Sequence, residues 1–149
     1  PMDIAQANGT TSIPRDGTVP TASEGTEIGT QAITLASTSS RVHVLGCPTL
    51  SDKTSVAQNS MFFSVFRGST CIGGQSFDGN TPGGTSGKSG STSFNIIDSP
   101  ASTSELTYSV RVGILSGSTW YVGQSRHQNT EGDYGGTLEN GVTLTELSS

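Results

Sequence analysis

Charged and apolar residues are both scarce in this chain. Of its 149 residues only 13% are charged and 30% are hydrophobic, and serine, threonine and glycine make up much of the rest. A helical bundle needs Leu, Glu, Lys and Ala in quantity, so this composition excludes one. Many short strands joined by turns of small residues account for it, and the length suffices for one domain with a core.

Positive charge is scarce as well. The chain has seven Lys and Arg against twelve Asp and Glu, a formal net charge of −5, and its positive residues form no basic stripe. We therefore expect no binding along a nucleic-acid backbone and none to an anionic membrane. No apolar run is long enough for a transmembrane helix, and no charged-then-apolar N-terminal segment is typical of a signal peptide. We expect synthesis in the cytoplasm, followed by either a cytosolic location or exit by a route other than classical secretion.

Cysteine is nearly absent, with only Cys47 and Cys71. Each lies in a strand-like run, so one bridge between neighbouring strands is conceivable. A disulfide scaffold would contain more cysteines, so the sequence favours two buried free thiols. The run Asp78-Gly79-Asn80 lacks the other acidic residues of a calcium loop and favours an Asx turn. We expect neither a metal nor another cofactor.

Alternation of apolar and polar residues sets the fold class. Residues 93–98 and 105–115 alternate on either side of an Asp98-Ser99-Pro100-Ala101 turn, which Pro100 keeps out of both strands. These two segments are predicted to form an antiparallel pair with one solvated face. The apolar face of the second segment is uninterrupted and comprises Leu106, Tyr108, Val110, Val112 and Ile114.

Strand signals recur at short intervals from residue 25 onward. The predicted strands span residues 26–35, 41–50, 61–66, 70–77, 93–98, 105–115, 119–122 and 141–147. This spacing is typical of an all-β jelly-roll sandwich of about eight to ten antiparallel strands. Residues 1–24 show no sustained period and are predicted to be an extended lead-in or linker, and residues 25–149 are predicted to be the jelly-roll domain.

Two further expectations follow from this strand order. Residues 61–66 are apolar on both faces and belong in a packed or oligomeric core, which suggests a homotrimer. Strict alternation of strand direction places the loops at 36–40, 68–69, 99–103 and 124–140 at one end. The loops at 51–59, 78–92 and 116–118, the lead-in and the C-terminus are then expected at the other end.

The order of several short motifs resembles that of a known group of domains. The motifs lie at residues 25–28, 33–44, 66–69, 93–104 and 144–147, with Tyr108 between the last two. Together they resemble the C-terminal receptor-binding head domains of bacteriophage tail and head fibres and of spikes on gene-transfer particles. Those domains are similar to the jelly roll of tumour necrosis factor and C1q.

This resemblance covers about residues 25–147 and implies several properties. It implies a homotrimer on a virion or phage-like particle that binds a bacterial surface polysaccharide or protein for host attachment. The N-terminal segment would contact other fibre or capsid proteins. A purely structural decoration or trimerisation cap without a ligand is the alternative.

The loop from Gln124 to Asn140 concentrates varied polar side chains. Planar amide, carboxylate and guanidinium groups can bind sugar hydroxyls, while an aromatic face packs on the ring. Each of these side chains could equally belong to a solvated loop, and Trp120 to the core or a trimer interface. The predicted ligand-binding residues are Trp120, Arg126, His127, Asn129, Glu131, Asp133 and Tyr134.

Enzyme signatures are incomplete, and we expect no catalysis. Residues 83–89 imitate a phosphate-binding loop, but Pro82 stands where its first glycine should be and no helix is predicted to follow. His43 and His127 are the only histidines, and neither is near a nucleophile motif. Asp98, Glu131 and Asp133 could supply paired carboxylates for glycoside hydrolysis, yet their spacing singles out no pair.

Overall fold

A computed structural model of the chain describes residues 1–53, 58–80, 88–115, 118–123 and 140–148. The side chains of residues 53, 58, 59, 79, 80 and 88 are outside this description. All regular structure in these ranges is β. The strands are β1 Ala7–Gly9, β2 Thr26–Ile33, β3 Arg41–Gly46, β4 Thr49–Lys53, β5 Gln58–Arg67, β6 Thr70–Asn80, β7 Lys88–Ser91, β8 Phe94–Asp98, β9 Leu106–Ile114, β10 Thr119–Val122 and β11 Val142–Leu147.

The strands form the two layers of an antiparallel sandwich. One layer is a four-stranded sheet in the order β2-β9-β5-β6. The other consists of the sheets β1-β10-β4-β7 and β11-β3-β8. Only residues 47–48 separate β3 from β4, and only residues 92–93 separate β7 from β8, so these two sheets continue each other end to end. The predicted all-β, jelly-roll-like sandwich is confirmed.

The core lies between the layers and is built from the inward residues of each strand. On β9 the predicted apolar face is correct: Tyr108, Val110, Val112 and Ile114 are fully buried and Leu106 is half-buried. Apolar burial at period two is what a two-layer sandwich requires. The other core residues include Val42, Val44, Leu50, Met61, Phe63, Val65, Phe94, Trp120, Val122 and Val142.

The predicted pairing of residues 93–98 with 105–115 is wrong. β8 pairs with β3, whereas β9 pairs with β2 and β5 in the opposite layer. The connection carries the chain across the sandwich, and Ala101 within it has a φ of 51°. Seven intervening residues exceed a tight hairpin turn, and both strands gain by facing the core from opposite sides. Alternation alone cannot distinguish these two arrangements, because both bury the same face.

The amino-terminal residues are packed on the sandwich rather than extended from it. β1 pairs with β10, and Met2 forms a bridge with Val142. Met2 and Ile4 belong to the main hydrophobic core. Single buried residues separated by polar ones produce no sustained period, so this segment resembles a linker in sequence.

Two local expectations also need correction. Residues 78–80 continue β6 and residues 88–91 form β7, so the segment predicted as a loop from 78 to 92 contains strand near both ends, and Asp78 forms no isolated Asx turn. Cys47 and Cys71 are both free, as favoured, but neither is buried: Cys47 is exposed and Cys71 is half-buried.

A buried polar cluster ties the two layers together near the β8–β9 connection. The Arg67 Nη1 atom lies 2.7 Å from both carboxylate oxygens of Asp98. The Tyr108 hydroxyl donates a hydrogen bond of 2.6 Å to Asp98 Oδ2. Burial, followed by this hydrogen bond, raises the pKa of Tyr108 well above its ordinary range. Asp98 therefore has structural partners in Arg67 and Tyr108, whereas Glu131 and Asp133 lie outside the described residues.

Candidate functional site

The polar segment predicted to bind a ligand has its six loop residues outside the described ranges. Its two ends, however, are described and lie together. The Gly123 N–H donates to the Thr49 carbonyl oxygen at 3.0 Å. The Thr49 N–H donates to Asn140 Oδ1 at 3.0 Å. The chain thus leaves and re-enters the fold at one residue of β4. The residues outside the description are Arg126, His127, Asn129, Glu131, Asp133 and Tyr134.

A glycine and an amide hold this base closed. Gly123 has a φ of 72°, and a Cβ atom there would overlap Asn140 Nδ2. The Gln6 side-chain amide donates to the Gly123 carbonyl oxygen at 3.1 Å. Left-handed backbone and this close approach both require glycine. Hydrogen bonds with Thr49 and Gln6 therefore hold the two ends of the segment, Gly123 and Asn140, close together.

The base of the 124–140 segment does not lie at the end of the sandwich where the sequence analysis placed this loop. β10 pairs with β4 and β11 pairs with β3, both antiparallel, so β10 and β11 run in the same direction on the same side of the continuous β3–β4 path. The prediction assumed that the chain reverses between them. The two described flanks, Gly123 and Asn140, instead lie in the middle of one long strand path, at the junction of β3 and β4.

The chain's C-terminus is also displaced from its predicted end. Leu147 pairs with Arg41, and the Ala36 N–H donates to Glu146 Oε1 at 2.8 Å. The last strand therefore finishes beside the 36–40 turn, at the end opposite to the one expected. The reason is that β10 and β11 run in the same direction, whereas the prediction assumed a reversal of chain direction between them.

Trp120, the one predicted ligand-binding residue within the description, lies in the core. It is 1% exposed, and its indole N–H donates to Thr11 Oγ1 at 3.2 Å. Its ring lies against Gly9, where a Cβ atom would be only 2.5 Å from Trp120 Cζ2. The ring faces the sandwich interior and β1, so it offers no aromatic face to a sugar in this conformation.

A second feature is the outer face of the β3 layer, defined as the side of β11-β3-β8 that points away from the core. Leu45 and Ile97 are 46% and 47% exposed there. His43 pairs with Ile97, and Leu45 pairs with Asn95, so the two apolar side chains sit on adjacent rows. His43 Nε2 and Asn95 Oδ1 are 2.8 Å apart. His43 therefore lies on the outer face of the β3 layer, between Arg41 and Leu45 along β3.

Sequence reasoning missed this face, although a signal was available. Leu45 and Ile97 are out of phase with the buried residues of their own strands, Val44 and Phe94 among them. A single apolar residue on the solvent side of a strand is common, but two on paired strands mark a patch. Recognising that requires knowing that β3 and β8 are neighbours.

The apolar 61–66 run, which motivated the trimer, is explained within one chain. β5 lies between β9 and β6, and its inward residues Met61, Phe63 and Val65 are in the core. On the other side Phe66 is fully buried and Phe62 half-buried. The interior position of β5 therefore accounts for the run without a partner chain.

Two further structural properties bear on function. Within the described ranges, the chain contains no helix with the length and hydropathy needed to span a bilayer. In the same ranges, no three His, Cys, Asp or Glu side chains converge in a way that could ligate a metal ion.

No protein-family model and no curated protein matches this chain. Similar solved structures come from infectious bursal disease virus. The structure of its Gt strain has 16% identity and a TM-score of 0.44, covering 96% of this chain and 35% of that one. Its VP2 subviral particle has 15% identity and a TM-score of 0.41, covering 95% and 34%. The chain thus spans about a third of those proteins, and similarity at this level establishes neither family nor function.

Proposed function

We propose that this chain is the head domain of a phage-type fibre or spike, which binds a bacterial surface polysaccharide through the 124–140 segment. The observation that carries this proposal is the closed base at Gly123, Asn140 and Thr49. A rigid sandwich that presents a polar insertion from a fixed base is the usual arrangement for recognition loops. The motif order that resembles phage fibre heads supplies the biological setting, a virion or phage-like particle.

The chemistry of the insertion favours a carbohydrate ligand. Its guanidinium, amide and carboxylate groups match the donors and acceptors of sugar hydroxyls. Tyr134 is the aromatic candidate for stacking, because Trp120 is committed to the core. The proposal needs neither a metal nor an enzyme activity.

The first test replaces Arg126, Asp133 and Tyr134 together by alanine. We expect binding to susceptible cells, or to the matching glycan on an array, to weaken at least about a hundredfold, since each lost contact costs on the order of 1 kcal/mol. Circular dichroism checks that the fold is retained. A matched control is Glu105→Ala, an exposed carboxylate in the β8–β9 connection, and it should bind as the unmodified protein does. Unchanged binding by the triple variant would rule out this segment as the site.

We propose further that the domain is a homotrimer, and that the outer face of the β3 layer is the surface between copies. Leu45 and Ile97 are two of the three exposed large apolar side chains in the described residues. Thr143, Thr145 and Asn95 lie beside them, and the charged Arg41 lies two residues along β3 from His43 at one end of the face, so the central part of the face has the lower cost of desolvation.

Replacing Leu45 and Ile97 together by aspartate is expected to convert the trimer to monomers. Two carboxylates in each copy would have to be buried against like charges, which costs several kcal/mol. Sedimentation velocity at micromolar concentration measures the mass. Val19→Asp is the matched control, because Val19 is 69% exposed and lies away from this face. A monomeric unmodified protein, or a double variant that remains trimeric, would contradict the assignment.

The alternative function is a structural decoration or cap. It would use the outer face of the β3 layer but would need no ligand at the 124–140 segment. If the protein trimerises and coats particles, but the triple alanine variant and the unmodified protein both fail to bind cells, the cap is the better interpretation. In either role the N-terminal residues remain the predicted contact with other fibre or capsid proteins.

A further inference from the structure

The residues 11–25, called the strap here, cross the outer side of the β2-β9-β5-β6 sheet. The Ile114 N–H donates to the Thr11 carbonyl oxygen at 3.0 Å, and the Gly25 N–H to the Ser12 carbonyl oxygen at 2.9 Å. A Cβ atom on Gly113 would lie 2.6 Å from the backbone nitrogen of Ile13, so glycine permits this close approach. One end of the strap is thereby fastened to β9.

The other end of the strap is held by Arg111. Its Nε donates to the Glu24 carbonyl oxygen at 2.8 Å, and its Nη2 to the Gly25 carbonyl oxygen at 3.0 Å. Between the two fastenings, residues 14–20 stand off the sheet. The Asp16 carboxylate accepts hydrogen bonds from the backbone N–H and hydroxyl of Thr18, at 2.9 and 2.6 Å. With Pro14 and Pro20 on either side of this turn, the strap has few alternative conformations.

A cavity of about 250 Å³ lies between the strap and the sheet. Its floor is formed by two successive cross-strand pairs, Ser60 with Asp78 and Phe62 with Ser76. The ring of Phe62 rests over Gly74, where a Cβ atom would be 2.6 Å from Phe62 Cζ. The half-buried Phe62 ring therefore approaches the sheet backbone at Gly74, and Phe62 lines the groove.

Polar groups converge on the rim of this groove. The Asp78 carboxylate accepts a hydrogen bond from the Ser60 hydroxyl through Oδ1. Arg15 Nη1 is 3.9 Å from the same oxygen, and both side chains are more than half exposed. Asp78 Oδ2 and the Arg15 guanidinium thus keep hydrogen-bonding capacity toward the groove. The apolar side chains that line the groove are Ile13, Pro14, Pro20, Phe62 and Leu115.

We propose that this groove binds a single neutral pyranose ring. The aromatic ring of Phe62 would pack on the C–H face of the sugar, while Asp78 and Arg15 would bind hydroxyls on its edge. The proposal rests on the proposed function for its ligand class, carbohydrate, and adds a site separate from the 124–140 segment. It adds a binding site for a second sugar unit, and the walls of this site are the strap and the outer side of β5 and β6.

The size and charge of the groove select this ligand. Pockets for drug-sized molecules are about 300–1,000 Å³, so a cavity of about 250 Å³ admits one ring rather than an oligosaccharide. Arg15 and Asp78 carry opposite charges, and the other lining side chains are neutral. A charged sugar would gain from one of the pair and be repelled by the other, whereas a neutral ring uses both as hydrogen-bonding groups.

The test is an NMR titration of the purified domain with the methyl glycosides of glucose, galactose and mannose. Ile13 lines the groove and serves as the probe, whereas Met2 lies in the core and serves as the control. We expect the methyl signals of Ile13 to move saturably with at least one glycoside, with a Kd of about 1 mM, while Met2 stays fixed. At about 10 mM glycoside, such a site is roughly 90% occupied.

Variants then distinguish binding in the groove from binding elsewhere on the domain. Asp78→Asn together with Arg15→Gln should weaken the titration at least about tenfold, whereas Asp3→Asn, an exposed carboxylate outside the groove, should leave it unchanged. No movement of Ile13 at about 10 mM, equal movement in the double variant, or tighter binding of a methyl glucuronide would each overturn the proposal. The triple alanine variant of the 124–140 segment should titrate normally, so failure of the groove and failure of the proposed function remain distinguishable.

Discussion

Replacing Arg67 by methionine is expected to lower the free energy of unfolding by about 3 kcal/mol. Arg67 lies 2.7 Å from both carboxylate oxygens of Asp98, whose side chain is only 10% exposed. Methionine preserves most of the buried stem but removes the charge. Asp98 would then keep only the Tyr108 hydroxyl as a described partner, and an unpaired carboxylate in the interior is strongly unfavourable. Urea unfolding followed by fluorescence measures the loss.

Two further variants test the cause of that loss. Asp98→Asn in the Arg67→Met background should recover part of the stability, because the neutral amide needs no counter-charge. Arg41→Met removes an exposed arginine from β3 and should stay within about 0.5 kcal/mol of the unmodified protein. A loss below about 1 kcal/mol for Arg67→Met, or no recovery in the double variant, would show that the cluster is not a buried charge pair.

Replacing Trp120 by alanine is expected to cost about 3–5 kcal/mol, the usual range for deleting a large buried aromatic side chain. The ring is 1% exposed and packs against Gly9, so the space it leaves cannot be filled by a neighbouring side chain at β1. Against a total stability of about 5–15 kcal/mol this is a severe loss. Thermal and urea unfolding both report it.

The same residue separates a core role from a ligand role. Trp120→Phe keeps a buried ring and should retain cell binding, at a stability cost of about 1–2 kcal/mol for the lost area and indole hydrogen bond. Thr11→Val removes the hydrogen-bond acceptor of the indole and should cost about 1 kcal/mol. If Trp120→Phe abolishes binding while stability is nearly unchanged, the ring contacts the ligand and its buried conformation is not the binding one.

The insertion at mid-strand changes how a fibre head would meet its target. A loop at the end of a sandwich approaches a surface end-on, whereas a segment based at Thr49 emerges beside the junction of β3 and β4. The outer face of the β3 layer begins at that junction. Assembly of three copies through this face would therefore bring three insertions close to one another, and multivalent display compensates for weak individual sugar contacts.

The sequence by itself determined the fold class and the inward face of the main strands. Period-two burial at Tyr108, Val110, Val112 and Ile114 is a local property, because every second residue of a strand points the same way. The scarcity of helix-forming residues excluded the competing architecture. The same reasoning favoured unpaired thiols at Cys47 and Cys71, as the structure has them.

Only the tertiary structure decided which strands are neighbours and where the candidate site is based. Alternation gives each strand a face but not a partner, so β8 and β9 were paired in sequence order although they lie in opposite layers. The equal direction of β10 and β11 likewise follows from their long-range hydrogen bonds with β4 and β3.

The groove and the apolar outer face were beyond sequence analysis for the same physical reason. Arg15 and Asp78, or Leu45 and Ile97, come together only because distant segments share a surface. The proposed binding role depends on one arrangement, in which Gly123 and Asn140, at the two ends of the polar insertion, are both hydrogen-bonded to Thr49 of β4. An experimental structure with those two ends on different strands would remove that foundation.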